Sequence, residues 1–406
     1  MKPYRLALCL ALLSGAGAAH AQESLASIFT NADRTVVPEH RPSIILIQCH
    51  GLGYGDLSCY GQTNYQTPNI DRLASEGIRF TNFHQGGTNF TTALATLLSG
   101  QKSAAAPALA SQLQTAGYHT GLVGEWTLDG QPWKDGFDEF GGFLGEEDGR
   151  NYFAETIWRY DTLNTYDLAT RTWVDLKPGA AHNGGPEALY PNRGGLHGVY
   201  LPELFTSMAC KFVEINAPDR FNRYKPFFLV LDLPQPRSAS ATADEFPVPS
   251  DAPFTGEAWP QAAKDRASLL TRLDGSVQRL ITQLKNSQLT NNVAIFIASS
   301  EAPEKFKDPK MNFLSVNGTA VAGEDGTPAP LPMIAWFPGE IPAGQVSNFK
   351  WTGTDFLPTA LQIAYVKPPK DLGGMSILPV LQGKKGQEVD LPTPKAPPGG
   401  PGGIIR

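Results

Sequence analysis

The sequence predicts an α/β fold with a mostly parallel central sheet and helices on both faces. The continuous apolar run "SIILIQ" at residues 43–48 is typical of a strand buried on both faces. The helix pattern "TPNIDRLASEG" follows it, with Thr67 as the N-cap, Pro68 in the first turn and Gly77 as the stop. This alternation repeats along the chain, which predicts parallel strands whose carboxyl ends meet at one edge of a sheet, where ligands bind.

The later elements follow the same two patterns. Short apolar runs bounded by glycine, proline or polar residues predict strands, and apolar residues at helical spacing predict helices. The predicted strands cover residues 78–84, 118–124, 225–233, 292–299 and 331–339. The predicted helices cover residues 91–100, 107–117, about 257–284, and 354–364.

The two ends of the chain differ from this pattern. Lys2 and Arg5 precede a short apolar run, and Ala19-His20-Ala21 supplies a cleavage site, so we predict a signal peptide of bacterial type at residues 1–21. Export predicts a periplasmic or secreted protein, and no later segment predicts a transmembrane helix. Residues 385–406 are rich in proline and glycine and predict a flexible tail.

Between the ends we predict a short lead-in at residues 22–41 and one α/β domain at residues 42–384. Residues 142–200 lack clear periodicity, and we predict that they form an insertion over the cleft. Three cysteines remain after signal cleavage, and a bridge between Cys49 and Cys59 is one open possibility.

The charge balance argues against one class of partner. The chain has 33 basic and 39 acidic residues, a net charge of −6, and losing Lys2 and Arg5 with the signal peptide changes this to −8. Because there is no basic run, we expect no nucleic-acid partner.

Several stretches together resemble the sulfatase family of the alkaline phosphatase superfamily. They include "LGYGDLSCYG", "TPNIDRLASEGIRFTNFH", "LATLLSG", "LQTAGYHTGLVGEWTL", "GFDEFGGF", "PFFLVLDL" and "LLTRLDGSVQRLITQLK", in the family's order. The similarity extends over residues 42–384. It implies the alkaline phosphatase and sulfatase α/β core, with the family's small C-terminal subdomain reduced or absent.

The resemblance also implies a chemistry. Members of the family hold a divalent cation, usually calcium, with oxygen ligands, and attack the ester with a formylglycine made from Cys or Ser. Arginine, lysine and histidine side chains stabilise the sulfate and protonate the leaving oxygen.

The family's metal-ligand positions carry other residues in this chain. The acid pair after the first strand becomes His50 and Gly51, and the ligands after a later strand become Ser299 and Ser300. Removing the carboxylates removes the donors that Ca²⁺ prefers. We therefore expect the calcium site to be lost and no cofactor to be bound.

The family's catalytic positions have changed too. The nucleophile position becomes Phe90, the arginine of the same motif becomes Leu94, and the lysine and histidine of the "GKWHLG" motif become Glu125 and Thr127. The later histidine becomes Arg237. Neither Phe nor Leu attacks an ester or binds sulfate, and Glu125 reverses a charge that should attract an anion.

The sequence leaves three alternatives open. Cys49 and His50 could hold zinc or have only a structural role. Thr91 could replace the missing nucleophile or cap a helix. Arg237 could bind a sulfate or carboxylate ligand, or pair with Glu125 or Glu301, so Arg237, Glu125 and Thr91 are the candidate substrate-binding residues.

The preferred interpretation is an exported, sulfatase-like pseudoenzyme that binds a glycan, a sulfated glycan or a protein partner through the inherited cleft. The first alternative is an active hydrolase of sulfate or phosphate esters, with a rebuilt site around His50, Glu125 and Arg237 that uses no formylglycine. The second is a purely structural or interaction role, with the cleft filled by Phe90 and Leu94.

Overall fold

The computed structural model of the chain describes residues 41–86, 90–101, 108–145, 150–161, 164–167, 172–175, 182–217, 225–240, 242–314 and 330–384. The predicted signal peptide, the lead-in up to residue 40 and the predicted tail lie outside these residues.

The strands and helices are numbered in chain order. The strands are β1 Ser43–His50, β2 Ile78–His84, β3 His119–Trp126, β4 Glu139–Leu144, β5 Thr156–Asp161, β6 Asn164–Asp167, β7 Thr172–Asp175, β8 His182–Ala188, β9 Phe227–Pro236, β10 Val293–Ser299, β11 Leu331–Trp336, β12 Gln345–Ser347 and β13 Trp351–Thr352. The helices are α1 Pro68–Glu76, α2 Phe90–Ser99, α3 Leu109–Thr115, α4 Leu201–Ile215, α5 Gln261–Asn286, α6 Phe356–Ile363 and α7 Leu378–Leu381.

One large sheet organises the fold. Its strand order is β12-β2-β11-β10-β1-β9-β3-β4-β5-β8, and β13 pairs with β2 at one end. The five adjacent strands β10, β1, β9, β3 and β4 are parallel to one another. On either side of them, β11 pairs antiparallel with β10, and β5 pairs antiparallel with β4. The predicted mostly parallel sheet is confirmed.

The strand β1 lies between two hydrophobic cores, one on each face of the sheet. Ile45 and Ile47 belong to the core that contains α4 and α5 residues such as Phe205 and Leu273. The alternate residues of β1 belong to the opposite core, which contains residues of α2, α3 and α6. Because both faces of β1 are covered, the strand is apolar without interruption from Ile44 to Ile47, as the sequence predicts.

The helix α1 begins at Pro68 as predicted, but its Thr67 side chain does not cap it. The Thr67 hydroxyl instead donates to Asp71 Oδ1 at 3.1 Å. The helix ends before Gly77, and no side chain fits at that position, because a Cβ there would lie 2.3 Å from the Ala335 carbonyl oxygen.

The helix α5 begins later than its apolar stripe predicts. It starts at Gln261, not near Glu257, because Pro260 lies just before it with an extended backbone. Helices begin readily next to proline, because proline lacks a backbone N–H and no helical hydrogen bond needs that donor at this position.

The region 142–200 contributes strands to the main sheet. β5 pairs with β4, and β8 pairs with β5, so both extend the sheet beyond its parallel part. β6 and β7 form a separate two-stranded ribbon. Covering of the cleft by this region stays a prediction.

The three cysteines of the predicted mature chain are free thiols. Cys49 is buried, whereas Cys59 and Cys210 are half-buried. The possible bridge between Cys49 and Cys59 is therefore not formed in this structure. Among the described helices, none has the length and apolar character needed to cross a membrane.

Candidate functional site

The candidate site lies where four parallel strands end. β1 ends at His50, β3 at Trp126, β9 at Pro236 and β10 at Ser299, and the pairing of these strands brings their carboxyl ends to the same edge. In an open α/β sheet this edge is where ligands bind. Among the residues singled out from the sequence, His50, Glu125, Arg237 and Ser299 all lie in this region.

His50 forms an ion pair with Asp232, a residue that the sequence did not single out. The His50 Nε2 and Asp232 Oδ1 atoms are 2.6 Å apart, and both side chains are buried. Asp232 belongs to β9 and lies beside Gln48 of β1 in the sheet register. The only sequence signal for it is one acid within the apolar run "FFLVLDL".

Arg237 forms a second buried ion pair, with Glu125. The Arg237 Nη2 atom donates to Glu125 Oε1 at 2.9 Å and to Oε2 at 3.1 Å. Both side chains are essentially inaccessible to solvent. The structure thus selects Glu125, and not Glu301, as the hydrogen-bonded carboxylate for Arg237.

The two ion pairs influence one another. Burial lowers the pKa of His50, but the attraction of Asp232 and Glu125 outweighs burial and raises that pKa above its ordinary value. Burial raises the pKa of Glu125, although His50 and Arg237 partly oppose this rise. His50, Asp232, Glu125 and Arg237 therefore form one electrostatically coupled group, named here the site tetrad.

Glycines allow the strands of the site to approach closely. A Cβ on Gly124 would lie 1.7 Å from the Asp232 carbonyl oxygen, and the φ of Gly124 is +123°. A Cβ on Gly142 would lie 1.7 Å from the Gly124 carbonyl oxygen. Because Gly124 and Gly142 lack a Cβ, β3 can lie this close to both β4 and β9. This close approach positions Glu125 and Asp232.

The residues that the resemblance assigns to the family's metal positions do not fit a calcium ion. The imidazole of His50 is held by Asp232, and Gly51 has no side chain. The Ser299 hydroxyl accepts from the Leu52 N–H at 3.0 Å and donates to the Glu301 carbonyl at 2.7 Å. Calcium takes six to eight oxygen ligands, several of them carboxylates, and these positions supply no carboxylate. Within the described residues, no group of three or more His, Cys, Asp or Glu side chains is arranged to hold a metal.

Ser300 has a different environment. Its backbone N–H donates to the Cys49 carbonyl at 2.8 Å, which continues the pairing of β10 with β1. Its hydroxyl is buried and has no hydrogen-bond partner among the described residues.

The surroundings of Cys49 and His50 do not favour a shared metal site. The Cys49 side chain packs in the core that contains α4 and α5, whereas His50 is engaged with Asp232. Burial raises the pKa of the Cys49 thiol, and the thiolate is the form that binds zinc. The structural role left open for Cys49 is therefore the one that its surroundings favour.

The stretch that the resemblance assigns to the family's nucleophile motif lies at the start of α2. The helix begins at Phe90, whose side chain lies outside the described part of the structure, as does Thr88. Thr91 is half-buried and is the second residue of the helix, so it is not the N-cap. Leu94 is fully buried in the core that contains α2 and α3. Thr127 follows β3 directly, is half-buried, and its hydroxyl has no partner among the described residues.

A third buried ion pair, which the sequence did not predict, lies close by. Arg266 of α5 donates through Nη2 to Asp56 Oδ1 at 2.7 Å and through Nη1 to the Pro236 carbonyl at 2.9 Å. The Arg266 guanidinium also lies 5.2 Å from the ring centres of both Phe246 and Phe306.

A recess opens beside these residues. It is shallow, and the space that it encloses is only about 10 Å³, roughly that of one water molecule. The side chains that matter for its chemistry are Arg237, Asp244, Phe246, Arg266, Glu301 and Glu304. This recess lies next to the site tetrad, since Arg237 belongs to both.

Comparison with known proteins identifies the relatives of this chain. A family model described as Sulfatase matches residues 42–366. N-acetylgalactosamine-6-sulfatase of Homo sapiens is 27% identical over 383 residues, which cover 84% of this chain and 66% of the relative. The arylsulfatase of Hemicentrotus pulcherrimus is 25% identical over 393 residues, which cover 88% of this chain and 65% of the relative. The chain thus spans about two thirds of the length of these relatives.

Solved structures agree on the fold. A crystal structure of Ps i-CgsB in complex with k-i-k-neocarrahexaose has a TM-score of 0.62 at 24% identity, with 85% of this chain and 77% of that chain covered. The PsFucS1 sulfatase from Pseudoalteromonas sp. has a TM-score of 0.60 at 20% identity, with 90% and 75% covered. The predicted α/β core is confirmed by these structural neighbours.

Proposed function

Because the chain belongs to the sulfatase family, we propose that it is a catalytically degenerate member that keeps the fold as a ligand-binding module. The family's chemistry requires a metal held by carboxylates, an attacking group and free cations for the sulfate. The residues at these positions are His50, Gly51, Ser299, Ser300, Phe90, Leu94, Glu125, Thr127 and Arg237. This set does not supply that chemistry.

The observation that carries the proposal is the buried pairing of Arg237 with Glu125. Arg237 is the one arginine among the changed positions, and a guanidinium binds sulfate well when it is open to the ligand. Here its Nη2 atom donates to both oxygens of a buried carboxylate. A sulfate ester would have to compete with that carboxylate in a poorly solvated place, where like charges repel strongly.

The alternative of a rebuilt hydrolase has one feature in its favour. His50 and Asp232 have the geometry of a histidine base oriented by a carboxylate. The His50 side chain, however, has no solvent exposure, so an ester cannot reach it without displacement of the surrounding residues. The degenerate site therefore accounts better for the geometry.

The alternative of a purely structural role requires that Phe90 and Leu94 fill the cleft. Leu94 does pack in a core, as that alternative requires. The recess beside Arg237, however, stays open to solvent and offers polar groups to a ligand. It is the reason for proposing ligand binding.

We place this function outside the cytoplasm, because the signal-peptide pattern predicts export. The ligand class we propose is a glycan, since curated relatives such as N-acetylgalactosamine-6-sulfatase are named for a sulfated amino sugar. A sulfated glycan or a protein partner are the other ligands that the inherited cleft suggests. A net charge of −6 gives no reason to expect nucleic acid.

Ester hydrolysis by the purified mature chain tests the proposed function. We expect no turnover of aryl sulfate or aryl phosphate esters above the rate in buffer, with or without added Ca²⁺, Zn²⁺ or Mn²⁺. The reason is that the described site offers neither carboxylate ligands at the metal positions nor an exposed base.

Variants decide whether any observed activity belongs to this site. Turnover that is abolished by His50→Ala or Glu125→Gln, but kept in Glu340→Gln, would show a working hydrolase and overturn the proposal. Glu340 is a suitable control because it is exposed and lies in the turn after β11, which runs antiparallel to β10 and so ends at the opposite edge of the sheet.

A further inference from the structure

Gln48 is a polar residue near the carboxyl end of β1, and its side chain is fully buried. Neither the Nε2 atom nor the Oε1 atom of its amide has a hydrogen-bond partner among the described residues. Buried polar groups in folded proteins are nearly always hydrogen-bonded, because a buried donor or acceptor without a partner destabilises the fold. The amide of Gln48 therefore calls for a partner that the neighbouring side chains do not supply.

Asp232 lies directly beside Gln48 on the same face of the sheet. The two residues are register partners on the adjacent parallel strands β1 and β9. Two positions earlier in each strand, Leu46 and Val230 are also register partners, and both pack in the core that contains α2, α3 and α6. Since side chains alternate between the faces of a sheet, Gln48 and Asp232 also point to this face.

The carboxylate of Asp232 has a partner on only one of its two oxygens. Its Oδ1 atom lies 2.6 Å from His50 Nε2, whereas its Oδ2 atom is buried and has no hydrogen-bond partner among the described residues. Gln48 and Asp232 are thus not bonded to one another, although they are neighbours in the sheet. Together they offer an N–H donor and two oxygen acceptors to a shared ligand.

The residues on either side of this pair are small. In the same register, Ala298 of β10 follows on the far side of Gln48, and Gly124 of β3 follows on the far side of Asp232. Alanine has only a methyl group and glycine has no side chain, so neither neighbour fills the space beside the two polar groups. A water molecule needs only about 10–15 Å³ of such space and makes two to four hydrogen bonds.

The charges of the site tetrad argue for a neutral ligand. Its carboxylates are Asp232 and Glu125, and its cations are Arg237 and, when protonated, His50. Two negative and two positive charges cancel, so an added ion would leave a buried charge without compensation, which is costly. Water is neutral and can both donate and accept, as the amide and the carboxylate oxygen require.

We propose that Gln48 and Asp232 bind a buried water molecule next to the site tetrad. The water accepts from the Gln48 amide N–H and donates to Asp232 Oδ2, so that Asp232 is bonded through both oxygens while it holds His50. A neutral molecule is then bound at the edge of the sheet where the resemblance implies an ion. The inference goes beyond the proposed function and does not depend on which ligand that function involves.

Oxygen-17 magnetic relaxation dispersion tests this inference, because it counts the water molecules that stay inside a protein long enough to tumble with it. The mature protein is compared with Gln48→Met, which keeps a side chain of similar length but removes both polar atoms of the amide. We expect the variant to hold at least one long-lived water fewer than the unmodified protein. An unchanged count in the folded variant, checked by circular dichroism, would overturn the inference.

Gln362→Met is the matched control, because Gln362 is an exposed residue of α6. The same substitution at the surface should leave the count of long-lived waters unchanged. An equal loss in this control would contradict the inference, since the lost water would then not belong to Gln48.

A high-resolution crystal structure of the unmodified protein decides the question if Gln48→Met does not fold. We expect a water molecule within about 3 Å of both the Gln48 amide and Asp232 Oδ2. A direct hydrogen bond between the two side chains, or an ion between them, would overturn the inference. Neither result bears on the proposed function, which fails only if esters are hydrolysed through His50 or Glu125.

Discussion

Replacing Arg237 with methionine should lower the free energy of unfolding by about 3–5 kcal/mol at neutral pH. The change leaves the Glu125 carboxylate buried without its hydrogen-bonded cation, which is the costly outcome for a buried pair. Chemical denaturation followed by fluorescence measures the loss. A loss below about 1 kcal/mol would show that the pair is not buried as described.

The pH dependence and a double variant test the cause of this loss. Without Arg237 the folded-state pKa of Glu125 rises further above its unfolded value, so the lost stability should grow as the pH rises through that folded pKa and shrink in acid. The double variant Glu125→Gln with Arg237→Met should recover part of the loss, since it leaves no uncompensated charge. Arg193→Met, which removes an exposed arginine stacked on Tyr190, should change stability by no more than about 0.5 kcal/mol.

Replacing Gly124 with alanine should destabilise the protein by about 3 kcal/mol or more. The added Cβ would lie 1.7 Å from the Asp232 carbonyl oxygen, and the φ of +123° disfavours any L side chain. β3 and β9 would have to separate at the residue that holds His50. The unfolding free energy from chemical denaturation measures the effect.

Gly256 offers the control for this substitution. An alanine Cβ at Gly256 would meet no atom within 4 Å, and the φ of this residue is not in the left-handed region. Gly256→Ala should therefore be nearly neutral. Equal effects of the two substitutions would show that β3 and β9 are not in the close contact described.

The fold could be predicted from the sequence because its signals are local. The apolar run of β1 and the proline and glycine at the two ends of α1 each lie within a few residues, and the structure confirms both elements. The predicted start of α5 near Glu257 is wrong, because the helix begins only after Pro260, whose backbone is extended.

The partners in the site could not be predicted in the same way, because they are far apart in the chain. His50 and Asp232 are separated by 182 residues, and Asp56 and Arg266 by 210. Only the order and register of the strands bring such residues together. For Arg237 the sequence left Glu125 and Glu301 open, and the structure selects the first.

Sequence patterns also fail to show which glycines are essential. Gly124 and Gly142 look like ordinary glycines in "GLVGEW" and "FGGF". Their importance comes from the backbone of the adjacent strand, which lies within 2 Å of where each Cβ would be. The pattern of residues within one segment carries no information about how closely the backbone of another strand packs against it.

The response of thermal unfolding to calcium tests most directly whether the site tetrad has replaced the family's metal site. A ligand that binds only the native state stabilises it by about 2.7 kcal/mol at a concentration one hundred times its Kd. We predict that the unfolding midpoint of the mature protein does not change between chelator and saturating Ca²⁺. A midpoint that rises with calcium concentration, and that stops rising in His50→Ala, would contradict the account.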